Sequence, residues 1–211
     1  MNILTKTGKL ISIEGGEGAG KSTVLDAIRV FLEQQGKTVI CTREPGGSSL
    51  GEQIRQILLA PDNRICAESE LLLMFASRAQ LVAELIKPAL TQGHFVLTDR
   101  FTDASFAYQG GGRGLADETI AALERNFVGF KADLTLLLDI GVEQGMLRAH
   151  ARGQGLDRIE QEHTEFFLKV RDAYLKKAAQ EPGRIKVIDA SVSADEVVSQ
   201  VIKTLEKWSQ H

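Results

Sequence analysis

Cysteine is scarce in this sequence, and a long apolar run is missing from it. The two cysteines, Cys41 and Cys66, are too few and too far apart for a disulfide framework or a zinc cluster. Cys41 stands in an apolar strand pattern and is predicted to be a reduced core residue. No apolar stretch reaches the roughly 18 residues that a membrane-spanning helix needs, and residues 1–9 lack the apolar core of a secretory signal. We therefore expect a cytoplasmic protein with no membrane partner.

An excess of basic residues is missing as well. The chain has 25 Lys and Arg against 28 Asp and Glu, which gives a formal net charge of −3. Proteins that bind the phosphate backbone of nucleic acids favour a positive surface, so we expect no nucleic-acid partner. The length of 211 residues and a hydrophobic content of 43% are typical of a globular protein. They predict one domain over residues 1–211.

A phosphate-binding motif stands near the start of the chain. Residues Gly15–Ser22 match the pattern G-x-x-x-x-G-K-[ST]. An apolar strand at 10–13 precedes it and a helical pattern over 21–35 follows it, which is the context that the motif requires. Glycines let several N–H groups converge on one phosphate, Lys21 is expected to reach the β- and γ-phosphates, and Ser22 to ligate Mg²⁺. The predicted ATP-binding residues are Gly15, Gly16, Glu17, Gly18, Ala19, Gly20, Lys21, Ser22 and Thr23.

Short apolar strands alternate with amphipathic helices along the rest of the chain. This alternation predicts an α/β fold of three layers, in which helices flank a central five-stranded parallel sheet. Ligands of such sheets bind at the carboxyl ends of the strands, and charged residues follow several of the predicted strands. The strands are predicted at 10–13, 38–42, 94–100, 134–139 and 185–189.

Two stretches between the strands carry further expectations. Residues 67–86 are predicted to form one long helix that ends near Pro88. Apolar residues surround much of this helix, so it is expected to face a partner subunit as well as its own sheet. Residues Gly110–Gly114 are predicted to form a turn that is flexible or lies close to a ligand.

The pair Asp99-Arg100 narrows the class of phosphate-loop protein. A GTPase needs Asn-Lys-x-Asp to read guanine, and the sequence does not contain it. A motor or helicase would usually be longer and carry Asp-Glu at the end of an apolar strand, whereas Arg100 follows Asp99 here. The pair suits a small kinase in which Asp99 positions Mg²⁺ or its water and Arg100 grips an acceptor anion.

Five blocks of sequence, in order along the chain, resemble the motifs of the thymidylate kinase family. Phe101 departs from the Tyr or His that usually follows Asp-Arg in that family. The resemblance spans nearly the whole chain and implies the P-loop nucleoside monophosphate kinase fold, with a short lid at about 148–160. The blocks are GGEGAGKS at Gly15–Ser22, TREPGG at Thr42–Gly47, DRF at Asp99–Phe101, SFAYQG at Ser105–Gly110 and LDRIE at Leu156–Glu160.

The resemblance also implies an activity. It implies that a homodimer transfers the γ-phosphoryl group of ATP to dTMP with Mg²⁺, giving dTDP for DNA synthesis. Arginines in the lid and none in the phosphate loop resemble the bacterial type of this family. Arg148, Arg152 and Arg158 are the lid candidates, and Arg152 and Arg158 join Lys21 and Arg100 as predicted catalytic residues.

Residues for the acceptor nucleotide are implied in the same way. Glu17 is expected to accept a hydrogen bond from the deoxyribose 3′-hydroxyl. Arg55 and Arg100 are expected to hold the acceptor phosphate, since a guanidinium binds phosphate through two parallel hydrogen bonds. Tyr108 is expected to lie against C2′ and exclude a ribose hydroxyl, and Pro45 to shape the wall around the nucleoside.

The base-binding residues complete the predicted acceptor site. Phe75 is expected to stack on thymine and Arg78 to bond its carbonyl, while Ser105 and Gln109 are expected to read the edge of the base. Phe75 and Arg78 are three residues apart and can share one helix face. From spacing alone, a core aromatic explains Phe75 nearly as well.

Two other functions stay open at this point. The nearer alternative is a kinase for another nucleoside monophosphate, because the phosphate loop reports nothing about the acceptor. The more remote alternative is a nucleotide switch without catalytic activity, which would bind ATP but not phosphorylate dTMP.

Overall fold

Five parallel strands form the centre of the computed structural model, which describes residues 7–151 and 157–209. Their order across the sheet is β2-β3-β1-β4-β5. Each strand that the sequence predicts is present, with bounds that differ by a residue or two. The strands are β1 Lys9–Glu14, β2 Val39–Arg43, β3 Phe95–Asp99, β4 Leu134–Asp139 and β5 Ile185–Asp189.

Helices lie between successive strands and cover both faces of the sheet, as expected for an α/β fold. Three segments, Val82–Ile86, Phe106–Gly112 and Glu124–Val128, are π-helical turns that continue a helix. The α-helices are α1 Lys21–Gln34, α2 Ser49–Leu59, α3 Ala67–Leu81, α4 Lys87–Thr91, α5 Thr102–Ser105, α6 Asp117–Leu123, α7 Val142–His150, α8 Thr164–Gln180 and α9 Ala194–Ser209.

Alternate residues of the strands point into cores on opposite faces of the sheet. On one face, Ile13 of β1 packs with Ile28 of α1 and Val201 of α9. On the other face, Leu10 of β1 belongs to a cluster with Leu71 of α3. All of these side chains are at most 2% exposed, and burial of each contributes about 1.5–3 kcal/mol.

The strand register brings the ends of three strands to one edge of the sheet. Asp99 of β3 lies opposite both Ile13 of β1 and Arg43 of β2, and Glu14 of β1 lies opposite Leu137 of β4. The segments that follow these strands therefore meet above this edge.

The long helix predicted over 67–86 extends further than expected. α3 continues through the π-helical turn into α4, which ends at Thr91. Pro88 lies in the first turn of α4, directly after the π-helical turn, so the continuous helix accommodates a proline where its regular hydrogen-bond pattern is already interrupted. The apolar circumference is partly exposed, since Leu72 is 59% exposed whereas Leu71 is buried.

The prediction of a turn at Gly110–Gly114 is wrong for its first residues. Gly110, Gly111 and Gly112 are helical; Gly111 and Gly112 pack against α8, and Gly110 packs against α6. An added Cβ at Gly111 would lie 2.5 Å from Cβ of Ala173 and 2.9 Å from the carbonyl oxygen of Lys169. The glycines are therefore explained by the close approach of two helices.

Cys41 is also placed differently from the prediction. It is exposed, because β2 is an edge strand and is only partly covered.

Within the described ranges, no helix is both long and apolar enough to cross a bilayer.

Candidate active site

A cavity of about 660 Å³ lies above the carboxyl ends of the strands, a size suited to small-molecule ligands. Most of the residues predicted for the site line it, although they come from segments far apart in the sequence. The predicted residues in its wall are Glu17, Gly18, Ala19, Gly20, Lys21, Ser22, Thr23, Pro45, Arg55, Arg78, Asp99, Arg100, Ser105, Tyr108 and Gln109.

The phosphate loop joins β1 to α1 along one side of the cavity. Gly20 caps α1 with a φ of 88°, a left-handed conformation that costs glycine no steric strain. Lys21 begins the helix, and its Nζ donates to the carbonyl oxygens of Gly15 at 3.1 Å and Gly16 at 2.9 Å. Gly15 and Gly16 are not among the described residues that line the cavity. Their carbonyl oxygens instead hold the side chain of Lys21, which does line it. The ammonium and the helix N-terminus together favour an anion here.

Burial lowers the pKa of the Lys21 ammonium, and the nearby Arg100 lowers it further. The carboxylates of Glu17 and Asp99 act in the opposite direction. A bound polyphosphate would add negative charge beside Lys21, and an opposite charge favours the protonated form.

Three predicted acceptor residues form a cluster beside the loop. Nη2 of Arg100 donates to Oε1 of Glu17 at 2.6 Å, and the hydroxyl of Tyr108 donates to the same oxygen at 3.0 Å. Burial, followed by the Glu17 carboxylate, raises the pKa of Tyr108, so its hydroxyl stays a donor. The cluster joins a cation, a carboxylate and a phenol on one wall of the cavity.

The backbone of Arg100 has a φ of 70°, which is uncommon for a residue other than glycine. Its N–H donates to the carbonyl of Ile13 at 3.0 Å, and the N–H of Phe101 donates to Oε1 of Glu14 at 2.7 Å. The hydroxyl of Tyr174 donates to the other oxygen of Glu14 at 2.7 Å. These buried contacts hold the strained turn that directs Arg100 toward the cavity.

Arg78 also lines the cavity and lies in a buried network. Its Nε donates to Oε2 of Glu44 at 2.6 Å, its Nη1 to the hydroxyl of Ser105 at 3.0 Å, and its Nη2 to the carbonyl of Phe101 at 3.0 Å. Arg78 and Glu44 are 2% and 3% exposed. Three hydrogen bonds therefore fix the guanidinium in position at the cavity wall.

The chain matches the family model of thymidylate kinase over residues 13–201. It is 54% identical to the thymidylate kinase of Pseudomonas syringae pv. tomato over 94% of this chain and 95% of that one. It is 50% identical to the thymidylate kinase of Alcanivorax borkumensis, over 95% of this chain and 97% of that one. A crystal structure of thymidylate kinase from Ehrlichia chaffeensis is similar with a TM-score of 0.79 at 30% identity, covering 94% of this chain and 98% of that chain.

The chain belongs to the thymidylate kinase family. It is therefore a kinase, and its fold is the P-loop nucleoside monophosphate kinase fold that the sequence motifs predict.

The structure places Phe75 in the apolar core directly beside the cavity, next to Met74 and in contact with Arg78. Phe75 is 3% exposed, belongs to the apolar core, and is not among the described residues that line the cavity. Met74 lines it instead. Met74 precedes Arg78 by four residues and Phe75 precedes it by three, so both can share a helix face with Arg78, and the guanidinium carbon of Arg78 lies 4.6 Å from the centroid of the Phe75 ring. The stacking role of Phe75 stays a prediction.

Arg55 and Pro45 are connected directly. Nη1 of Arg55, on α2, donates to the carbonyl oxygen of Pro45 at 2.8 Å. Arg55 and Arg100 both line the cavity, so two guanidinium groups are available to one acceptor phosphate.

Ser22 and Asp99 suit the Mg²⁺ ion that thymidylate kinases are expected to need. Both line the cavity. Oδ1 of Asp99 is buried and accepts no hydrogen bond from the residues described, although Nη1 of Arg100 forms an ion pair with it at 3.7 Å. No group of three or more His, Cys, Asp or Glu side chains within those residues could hold a metal alone. Mg²⁺ is usually held by one or two protein oxygens together with substrate phosphates, so this donor set fits it.

The lid candidates lie in three different situations. Arg148 lines the cavity and donates to the carbonyl of Ala190 at 2.8 Å. Arg158 is not among the described lining residues, because its Nη2 donates to Oε2 of Glu70 and its Nε to the carbonyl of Leu58, both at 2.7 Å. Arg152 lies outside the described residues.

Sequence reasoning assigned no role to Glu14, Glu44 or Met74. Glu44 belongs to the TREPGG block, and Glu14 ends an apolar strand directly before the phosphate loop, an unusual position for a carboxylate. Met74 lies four residues before Arg78 and Phe75 lies three residues before it, and either spacing places a side chain on the same helix face as Arg78. Signals for all three residues were therefore present in the sequence.

Proposed function

We propose that this protein transfers the γ-phosphoryl group of ATP to dTMP, giving dTDP and ADP, for dTTP synthesis. The observation that supports this most directly is the arrangement around one cavity. The phosphate loop lies on one side, the Glu17–Arg100–Tyr108 cluster beside it, and the buried donor Arg78 on the base side.

The acceptor enters this reaction already ionised. A phosphate monoester has a second pKa near 6, so it is largely a dianion at pH 7 and needs no general base. Catalysis then depends on positioning the acceptor in line with the γ-phosphate and on neutralising charge. Arg55 and Arg100 hold the acceptor phosphate, and Glu17 accepts a hydrogen bond from the 3′-hydroxyl.

The donor side is neutralised by Lys21 and the loop N–H groups. Lys21 spans the β- and γ-phosphates from its position over the carbonyls of Gly15 and Gly16. Ser22 and Asp99 would hold Mg²⁺, which when bound offsets the charge of the β- and γ-phosphate oxygens.

The nucleoside is recognised by the walls of the acceptor half. Arg78 and Ser105 bond the base edge, Met74 takes the apolar contact that the sequence assigned to Phe75, and Pro45 shapes the wall. Tyr108 lies beside Glu17 and would clash with a ribose 2′-hydroxyl. We also propose that residues 1–211 are one domain with a lid at about 148–160, whose closure excludes water from the transferring phosphoryl group.

A coupled assay of ADP release with dTMP, dUMP, dCMP and AMP tests the proposal. We expect dTMP to be the best acceptor and Lys21→Ala to lower its turnover at least about a hundredfold while the far-UV circular dichroism stays unchanged. Arg29→Ala, which removes an exposed cation from the same helix, is the matched control. Preference for another acceptor would replace dTMP in the proposal, and ATP binding without turnover of any acceptor would indicate a switch.

We further propose a homodimer that uses α3. Leu72 on this helix is 59% exposed, and Phe127, in a turn that packs beside α3, is 58% exposed. Light scattering should give twice the chain mass of 23.0 kDa. A monomer at micromolar concentration would contradict the proposal.

The cytoplasmic location stays a prediction.

A further inference from the structure

Glu70 is a buried carboxylate in the first turn of α3, and the mechanism above does not use it. Its side chain is fully buried. Its Oε1 accepts from Nε2 of Gln109 at 2.9 Å, and its Oε2 accepts from Nη2 of Arg113 at 3.1 Å and Nη2 of Arg158 at 2.7 Å. One carboxylate therefore joins α3, the segment that contributes Gln109 to the cavity, and the anchored end of the lid.

Glu70 remains ionised in this environment. Burial by itself would raise the pKa of Glu70, but hydrogen bonds from Arg113, Gln109 and Arg158 lower it below its ordinary value. An ionised carboxylate has only acceptor oxygens. Every polar group that forms a hydrogen bond with the Glu70 carboxylate must therefore donate an N–H or an O–H.

This requirement determines the orientation of the Gln109 side-chain amide. The amide has one end that donates and one that accepts, and the Glu70 carboxylate can bind only the donating end. Gln109 is 1% exposed and lines the cavity. Its Oε1 is buried and has no hydrogen-bond partner among the described residues. A buried acceptor without a partner is costly, so a ligand donor is expected to satisfy it.

Arg78 supplies the complementary group on the same wall. Its guanidinium has five N–H donors, of which Glu44, Ser105 and the Phe101 carbonyl take three within the described part of the chain. A donor from Arg78 beside an acceptor from Gln109 matches the C4 carbonyl and the N3–H of thymine or uracil. Cytosine presents the reverse pattern, an exocyclic amine and an unprotonated N3.

We propose that Glu70 is a positioning residue that holds the Gln109 amide with its oxygen toward the base, and so makes the site select a pyrimidine with an N3–H over cytosine. This inference rests on the proposed function. Glu70 does not touch the substrate and acts through Gln109.

The variant Glu70→Gln tests the inference. A glutamine at this position can donate to Oε1 of Gln109, so the Gln109 amide is free to turn over. The ratio of kcat/KM for dTMP to that for dCMP should fall at least about tenfold, because hydrogen-bond complementarity is what rejects the wrong base. The KM for ATP should change less than about twofold. Loss of the lid contact to Arg158 affects both acceptors alike and cancels in the ratio.

Glu162→Gln is the matched control. Glu162 pairs with Arg113 from the far side of the same cluster, and its substitution removes a carboxylate without touching Gln109. Its acceptor ratio should stay within about threefold of the wild type. A folded Glu70→Gln variant whose ratio also stays within this limit would overturn the inference.

An exchanged pair, Glu70→Gln with Gln109→Glu, keeps the inference testable where the single variant fails to fold. The net charge is unchanged and the side-chain volumes are nearly unchanged. The carboxylate at position 109 can accept a hydrogen bond from the base in either orientation. The acceptor ratio should return to within about threefold of the wild type. A dTMP-to-dCMP ratio near one in this pair would contradict the role given to the Gln109 oxygen.

The turnover of the wild-type protein is measured separately. Failure to phosphorylate dTMP would refute the proposed function, whereas unchanged discrimination in Glu70→Gln refutes only the role of Glu70.

Discussion

The guanidinium carbon of Arg78 lies 4.6 Å from the ring centroid of Phe75, and both side chains are at most 3% exposed. A cation at this distance over an aromatic face is attracted by the ring quadrupole, more strongly where water is excluded. Phe75 therefore packs against the guanidinium of Arg78, whereas its neighbour Met74 lines the cavity. We expect the two neighbours on α3 to have separate tasks.

Alanine substitutions should separate these tasks. Phe75→Ala should lower the free energy of unfolding by about 3–5 kcal/mol, as large-to-small changes of core aromatics do. Met74→Ala should cost far less stability, because Met74 is only half-buried, but should raise the KM for dTMP. Urea unfolding and steady-state kinetics of both variants decide this. A Phe75→Ala variant of normal stability with a raised KM for dTMP would restore the stacking role first predicted for Phe75.

The buried pair of Arg78 and Glu44 predicts a second pattern. Arg78→Ala should weaken dTMP binding by about 1.5–3 kcal/mol, the loss of a hydrogen bond from a charged donor, and leave ATP binding nearly unchanged. It should also reduce stability by about 3–5 kcal/mol, since it leaves Glu44 buried without its partner.

Adding Glu44→Gln to Arg78→Ala separates the two effects. The double variant should regain much of the lost stability, because no unpaired charge is buried, while its affinity for dTMP stays low. Isothermal titration with each nucleotide and urea unfolding measure both quantities. Equal losses for ATP and dTMP would mean that Arg78 is a structural residue.

The strands and the phosphate loop could be predicted from sequence because their signals are local. Apolar runs between turn residues mark β1 to β5, and GGEGAGKS specifies its own strand–loop–helix context. The glycines at 110–112 were misread for the same reason, since a local pattern of glycine indicates a turn. For Gly111 and Gly112 the explanation is contact with α8, which lies more than fifty residues further along the chain.

The carboxylate contacts of the site could not be predicted because each joins distant parts of the chain. Glu44 and Arg78 are 34 residues apart, Glu70 and Arg158 are 88 apart, and Glu14 and Tyr174 are 160 apart. Nothing in a single sequence pairs such residues. Their pairing depends on the strand order and on which helix faces meet, and these become known only with the fold.

The anchored position of Arg158 changes what is expected of the lid. Arg152→Ala should lower kcat at least about tenfold and change the dissociation constants of ATP and dTMP by less than about threefold, the signature of a cation that acts mainly in the transition state. Arg158→Ala should chiefly lower the melting temperature, because it removes contacts to Glu70 and the Leu58 carbonyl. Single-turnover kinetics and thermal unfolding of both variants test this. The reverse pattern would mean that Arg158 leaves Glu70 when the lid closes.

Glu14 makes the stability of the protein depend on pH. Burial, and then the nearby Asp103 carboxylate, raise the pKa of Glu14 from 4.5 to about 8. The hydrogen bonds from Tyr174 and the Phe101 N–H, and the charge of Arg100, oppose this shift only in part. Between these two pH values the folded protein holds a proton at Glu14 that the unfolded chain has lost. The free energy of unfolding should therefore fall as the pH rises from about 5 to 8.

Glu14→Gln should remove this contribution. A glutamine can accept from the Phe101 N–H through its oxygen. Its nitrogen can donate to the Tyr174 hydroxyl once that hydroxyl rotates to accept, as it must also do for the protonated acid, so the glutamine imitates this acid and does not titrate. The variant should gain stability relative to the wild type as the pH rises from 5 to 8, by up to about 1.4 kcal/mol per pH unit, the limit for one proton. Urea unfolding of both proteins at pH 5, 6, 7 and 8 measures the difference. Asp133→Asn is a control for a general effect of removing a negative charge. The Asp133 carboxylate lies at the amino end of β4, away from the site, and accepts from the Leu10 N–H. If the stabilities of Glu14→Gln and the wild type stay parallel across this range, Glu14 is ionised in the folded protein and holds the Arg100 turn as a carboxylate.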